Sequence, residues 1–176
     1  MSALRTANML GAMAGQVHSL LTRRLLQHPN QTDSAAAALN ILTFYDGCSN
    51  RQLSQGLRLS HTATVRLADK LEEEGLVESR PGQDRRAVVL TLTDAGRARA
   101  REILTARCQV LDTVLSPLTE KEQETLSGLL EKLLRHQIKA PEDESLCRLC
   151  DSTACPPETC PVHQRALALM PRPGGF

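Results

Sequence analysis

Cys147, Cys150, Cys155 and Cys160 follow one another as C-x2-C-x4-C-x4-C, and only Cys48 and Cys108 lie elsewhere in the chain. Four thiolates on one short loop can enclose a metal ion or an iron–sulfur cluster. Zinc takes four tetrahedral ligands, and most four-cysteine zinc sites pair two C-x2-C knuckles across a longer spacer. This chain has one such pair followed by two single cysteines. A four-iron cube is larger than a zinc ion, and its ligands spread along a continuous wrapping loop. The Cys155-Pro156 and Cys160-Pro161 steps suit such a loop, because proline blocks helix and sets the chain direction. The expectation is therefore an iron–sulfur cluster of the [4Fe-4S] type, with zinc as the alternative that spacing alone leaves open. A third reading is disulfides or unliganded thiols. His163 could replace one cysteine, though a solvent-facing histidine is the expectation. Cys48 and Cys108 are expected to be small buried residues rather than redox sensors.

A second group of residues could contact nucleic acid. Ser60, His61, Thr62 and Thr64 are small or polar and open one helical stretch, on which Arg66 and Lys70 lie four apart. Farther on, Arg80, Asp84, Arg85 and Arg86 cluster at a turn. Arginines on a narrow hairpin can enter the minor groove, and Asp84 could hold a guanidinium in place by paired hydrogen bonds. The formal net charge is +1, so DNA affinity must come from local charge segregation. Aromatic residues are 2% of the chain, which argues against binding RNA or single strands by base stacking.

The elements that would position these residues are marked by caps and period. Met9, Leu10, Met13, Val17, Leu20, Leu21 and Leu25 form a helical stripe. Thr32 or Asp33 can cap a helix running to about Tyr45, before Asp46-Gly47. Ser49-x-x-Gln52 is a capping box for a short helix to about Gly56, and Ser60 caps another that runs to Gly75. The period then changes. Leu76 to Arg80 reads as a strand, Pro81-Gly82-Gln83-Asp84 as a turn, and Val88 to Leu92 as the returning strand. Thr93 caps a long helix to about Leu115, broken by Ser116-Pro117. Thr119-x-x-Glu122 opens the last long helix, striped by Leu126, Leu129, Leu130, Leu133, Leu134 and Ile138. Residues 140–145 read as an acidic linker. The fold class is mainly α with a small β-hairpin wing: a winged helix-turn-helix with flanking dimerisation helices. Its second helix can place its N-terminal residues at base edges in the major groove. The division expected is 1–139 for the DNA-binding and dimerisation domain and 140–176 for the linker and cysteine-rich segment.

The stretch LSQGLRLSHTATVRLADKLEEEGLVESRPGQDRRAVVLTLTDAG, Leu53 to Gly96, resembles the MarR family of winged-helix regulators. The likeness rests on L-E-x-x-G-L-V from Leu71 to Val77, D-x-R at Asp84 and Arg86, and L-T-x-x-G from Leu92 to Gly96. It implies an obligate homodimer with the first and last helices interlocked, binding a palindromic operator in double-stranded DNA. It also implies that Arg86 is the minor-groove reader and Asp84 its support. The cysteine segment lies outside the common family pattern.

The chain is thus expected to be a homodimeric regulator, a repressor, whose operator binding responds to a cysteine-bound cluster beyond the last helix. Cluster loss would change the separation of the two recognition helices. The alternative is the same regulator with structural zinc and a small phenolic ligand as signal. A reading from another class is an iron–sulfur electron carrier. The chain has no glycine-rich phosphate loop and no histidine–carboxylate motif that stands out, so no enzyme is expected. The N-terminus lacks a secretion layout and no apolar run is of membrane-spanning length, so a cytoplasmic protein with no membrane partner is expected.

Overall fold

The computed structural model describes residues 3–25, 32–82 and 88–170. Asp84, Arg85 and Arg86 fall outside these residues. The elements run α1 (Ala3–Leu25), α2 (Asp33–Phe44), β1 (Cys48–Ser49), α3 (Asn50–Leu57), α4 (His61–Glu73), β2 (Val77–Pro81), β3 (Val88–Leu92), α5 (Asp94–Leu115), α6 (Glu120–Gln137), a 3-10 helix (Pro141–Cys147) and α7 (Pro161–Leu169).

Local capping chemistry sets most of these boundaries. The Thr32 hydroxyl accepts from the Ala35 amide at 3.1 Å, Ser60 from Ala63 at 3.2 Å, and Thr93 from Gly96 at 3.0 Å. Ser49 and Gln52 form the reciprocal box, and the Glu122 carboxylate accepts from both the amide and the hydroxyl of Thr119. Each bond satisfies a donor that a helix start leaves free.

α2 forms the centre of the main core. Ala35 through Asn40 are six consecutive buried residues, so the helix is enclosed rather than half-exposed. Leu53, Leu71, Val77, Leu90, Ala100 and Ile103 pack around it. The sheet has the order β1-β3-β2 and is antiparallel, with Cys48 opposite Leu90 and Val77 opposite Leu92. The third strand, β1, extends the expected hairpin. It is only two residues long and is defined by pairing with β3, so no alternation announces it.

Gly75 ends α4 with φ +68, a conformation costly for any side chain, and the chain turns there into the wing. Gly96 answers a different constraint. A Cβ at this position would lie 1.9 Å from the Leu76 carbonyl oxygen, so only glycine lets α5 start against the end of the hairpin.

The segment after α6 departs from the expected linker. Residues 141–147 wind into a 3-10 helix, and Asp143 accepts from the amides of Lys139 at 2.8 Å and Ala140 at 3.0 Å. Ile138, Cys160, Val162 and Ala166 form a second small core beside α6. The segment also folds back over α2 and α3 rather than standing only beyond the last helix.

Candidate DNA interface and cysteine centre

The helix-turn-helix is α3, the turn through Arg58, Leu59 and Ser60, and α4. Arg58 takes the left-handed conformation, φ 54, and lets the chain reverse between the two helices. Ser60, His61, Thr62, Arg66 and Lys70 are exposed along α4. Thr64 is not: it is fully buried, and its hydroxyl donates to the Ser60 carbonyl at 3.1 Å. Its small polar type suggested base contact, but helical phase points it into the core with Ala68 and Leu71, four and seven residues on. Glu72, at the far end of α4, accepts from the Ser79 amide at 2.9 Å and hydroxyl at 3.3 Å, tying the recognition helix to the wing. Arg80 is exposed and pairs with Glu78 on the same strand.

The four clustered cysteines line one cavity of about 710 Å³, together with a fifth cysteine, Cys48, and with Asn40, Tyr45, Glu144 and His163. The Cys147 and Cys160 sulfurs are 3.9 Å apart. That distance is close to the edge of a tetrahedron with metal–sulfur bonds of about 2.3 Å, roughly 3.8 Å. Among the described residues, however, no three histidine, cysteine or carboxylate side chains are already drawn around a single ion position.

The thiols interact as a group. The Cys147 thiol is pushed up, chiefly by its hydrogen bond with Cys150 and then by burial. Cys150 is pulled down by the same bond, against burial, and further by the Arg107 guanidinium on α5. Burial, followed by the charge of Cys160, raises Cys155. An all-thiolate donor set beside an arginine suits a soft metal or an iron–sulfur core, whose charge the guanidinium partly offsets.

His163 is half-buried, not solvent-facing, and its Nδ1 bonds the Glu144 carboxylate. Cys160 is the N-cap of α7 and His163 its third helical residue, so both side chains lie at the same helix start. Cys48 is buried, 6% exposed, as its neighbours suggested. Cys108 is exposed, contrary to expectation. The core-facing side of α5 runs through Gly96, Ala100 and Ile103, and position 108 is out of phase with it.

Sequence reasoning missed four contributors: Asn40, Arg58, Arg107 and Glu144, the partner of His163. Only Asn40 left a signal, as the lone polar residue inside AAAALNIL.

The fold and exposed α4 define a winged helix-turn-helix DNA-binding protein. The model of the MarR family matches residues 30–87. The uncharacterised HTH-type transcriptional regulator YwhA of Bacillus subtilis is 33% identical over 96 residues, covering 54% of this chain and 69% of YwhA. The transcriptional repressor MprA of Escherichia coli is 34% identical over 93 residues, which are 52% of this chain and 53% of MprA. Apo MarR from E. coli superposes with a TM-score of 0.59 at 25% identity, covering 76% of this chain and 98% of MarR. A MarR family protein from Bacillus stearothermophilus has a TM-score of 0.66 at 24% identity, over 77% of this chain and 97% of that one. The chain belongs to the MarR family of DNA-binding transcriptional regulators. Its relatives are regulators rather than enzymes. Among the described residues, no helix is long and apolar enough to cross a membrane.

Proposed function

We propose that this protein is a homodimeric repressor whose operator binding responds to a [4Fe-4S] cluster held by Cys147, Cys150, Cys155 and Cys160. The observation that carries the reading is the convergence of all four thiols on one cavity, in a segment bonded to the helix-turn-helix. Repression is the activity that MprA's name records. Dimerisation is supported by apolar side chains left exposed: Met9, Leu10 and Met13 on α1, and Leu129, Leu130 and Leu133 on α6, each more than 40% exposed. A patch of this extent needs a partner, and a second copy of the same two helices supplies one. Asp84, Arg85 and Arg86 would complete the DNA contact from the wing. Anaerobic purification followed by iron, sulfide and zinc analysis, with operator binding before and after metal removal, tests the reading. Cluster-free protein that binds its operator unchanged would refute it.

The 3.9 Å Cys147–Cys160 separation favours a second reading, structural zinc. The signal would then be a small ligand. The cleft of about 510 Å³ between α1 and α5, lined by Leu25, Arg101 and Ile103, has the room for one. One zinc per chain in colourless protein would select this reading.

A further inference from the structure

Asn40 is the one buried polar side chain of α2, at 3% exposure. Its Nδ2 donates twice, at 3.0 Å to the Arg148 carbonyl and at 3.0 Å to the Cys150 carbonyl. Both carbonyls belong to the Cys147–Cys150 knuckle. Its Oδ1 is buried with no hydrogen-bond partner among the described residues. A buried orphan oxygen is costly, so what keeps an asparagine here is the pair of bonds its nitrogen makes.

Two ion pairs flank this contact. Arg148 reaches Asp33 at the start of α2, at 3.2 Å. Arg58, in the left-handed turn of the helix-turn-helix, reaches Asp143 at 3.2 Å, and Asp143 is itself fixed by two backbone amides. The cysteine segment is therefore fastened to the DNA-binding unit at three places: the start of α2, its middle and the turn before α4. The exposed ion pairs are individually weak and screened by salt. The pair of hydrogen bonds from the buried Asn40 amide is the strong member of the set.

We propose that Asn40 is the positioning residue through which metal occupancy at the cysteine loop sets DNA affinity. This rests on the reading that the four cysteines hold metal. With the thiolates gathered on a metal, the knuckle carbonyls stay within reach of Nδ2, and the loop braces α2 and the helix-turn-helix turn in the DNA-binding arrangement. Without the metal the loop is held by the small core around Ile138 and Val162 and by the two exposed, salt-screened ion pairs. A metal that cross-links a loop contributes much of that loop's order. Its loss frees the knuckle carbonyls, and α4 loses its brace. The effect travels within one protomer through α2, so it needs no change in how the subunits pair.

The test uses the full-length protein, isolated anaerobically with its own metal and compared with a chelator-stripped sample. Its probe is a duplex selected from random DNA by the wild-type protein. Wild-type affinity should fall about 5–150-fold on stripping, the usual range for coupled sites. Asn40→Leu has similar volume and no donor. It should retain its metal and its dimer, yet its loaded and stripped forms should bind within about twofold of each other, the coupling of that range having been lost. Arg58→Gly, which keeps the left-handed turn, should reduce the ratio in part. Hydrogen exchange on the wild type supplies a measurement that needs no variant. On stripping, residues 39–44 and 58–60 should lose protection while α6 does not. An Asn40→Leu protein with the wild-type ratio, or unchanged exchange in those two stretches, overturns the latch and leaves metal-responsive regulation standing. A wild type that carries metal yet binds DNA equally with and without it overturns both, as does one that carries none.

Discussion

The Cys147 and Cys160 sulfurs lie 3.9 Å apart although the two residues are thirteen positions apart in the chain. The 3-10 helix brings the first and α7 brings the second, since Cys147 ends one and Cys160 caps the other. Both pack against the small core around Ile138 and Val162. Packing thus brings two of the four thiols together, while among the described residues no three donors are yet drawn around a single ion position.

Anaerobically isolated protein should be brown, with about four irons and four sulfides per chain if the core is a cube. Cys150→Ser or Cys155→Ser should abolish the colour. Cys48→Ser and Cys108→Ser should leave it, because Cys48 packs in the main core, although it lines the same cavity, and Cys108 lies on the outer side of α5. Iron analysis and visible absorption check this, and colour surviving in the Cys150 variant would remove that residue from the ligand set.

Gly96→Ala should destabilise the domain by several kcal/mol, about 3 or more, because the new methyl has no space against the Leu76 carbonyl. That oxygen is also the acceptor for the Thr93 amide at 3.1 Å, so it cannot move away without breaking the entry to α5. Urea unfolding monitored by circular dichroism measures the loss. A change below about 0.5 kcal/mol, the scale of neutral surface substitutions, would show that α5 can shift freely.

The legible part of this fold is the part written in local chemistry. Thr32, Ser49 with Gln52, Ser60, Thr93 and Thr119 with Glu122 each sit within four residues of the amide they serve, so the helix starts could be read directly. β1 could not, because Cys48 and Ser49 become a strand only by meeting Leu90 and Val89. The cysteine spacing announced a candidate centre. Its place on α2 depends on an asparagine more than a hundred residues away, which no local pattern reports. Thr64 was misread because residue type was weighed above helical phase, and Cys108 for the same reason.

Substituting Leu130 and Leu133 on α6 together by Asp should shift the protein toward monomer and reduce its stability in a concentration-dependent way. Both side chains are exposed in the single chain, so only a partner can bury them. Sedimentation velocity reads the outcome directly, and an unaltered dimer would move the interface elsewhere.

Arg86→Ala should weaken specific binding by about 1–3 kcal/mol with the fold intact, as expected for a groove-reading arginine. Operator affinity at fixed salt checks it; no change would take the wing tip out of the interface.

Arg66→Ala and Thr64→Val separate the exposed face of α4 from its buried one. Arg66 is exposed, so if it meets a phosphate its loss should weaken binding and lower the salt slope by about one unit. Thr64 is fully buried, with its hydroxyl already donating to Ser60. Valine keeps its shape and loses that bond, which should lower stability by about 1 kcal/mol. Discrimination between operator variants should stay at the wild-type level, because the side chain has no path to the groove. Titrations at several salt concentrations, paired with urea unfolding, give both readouts. A Thr64→Val protein of normal stability but relaxed sequence preference would place that residue at the bases and rotate α4 relative to the arrangement described above.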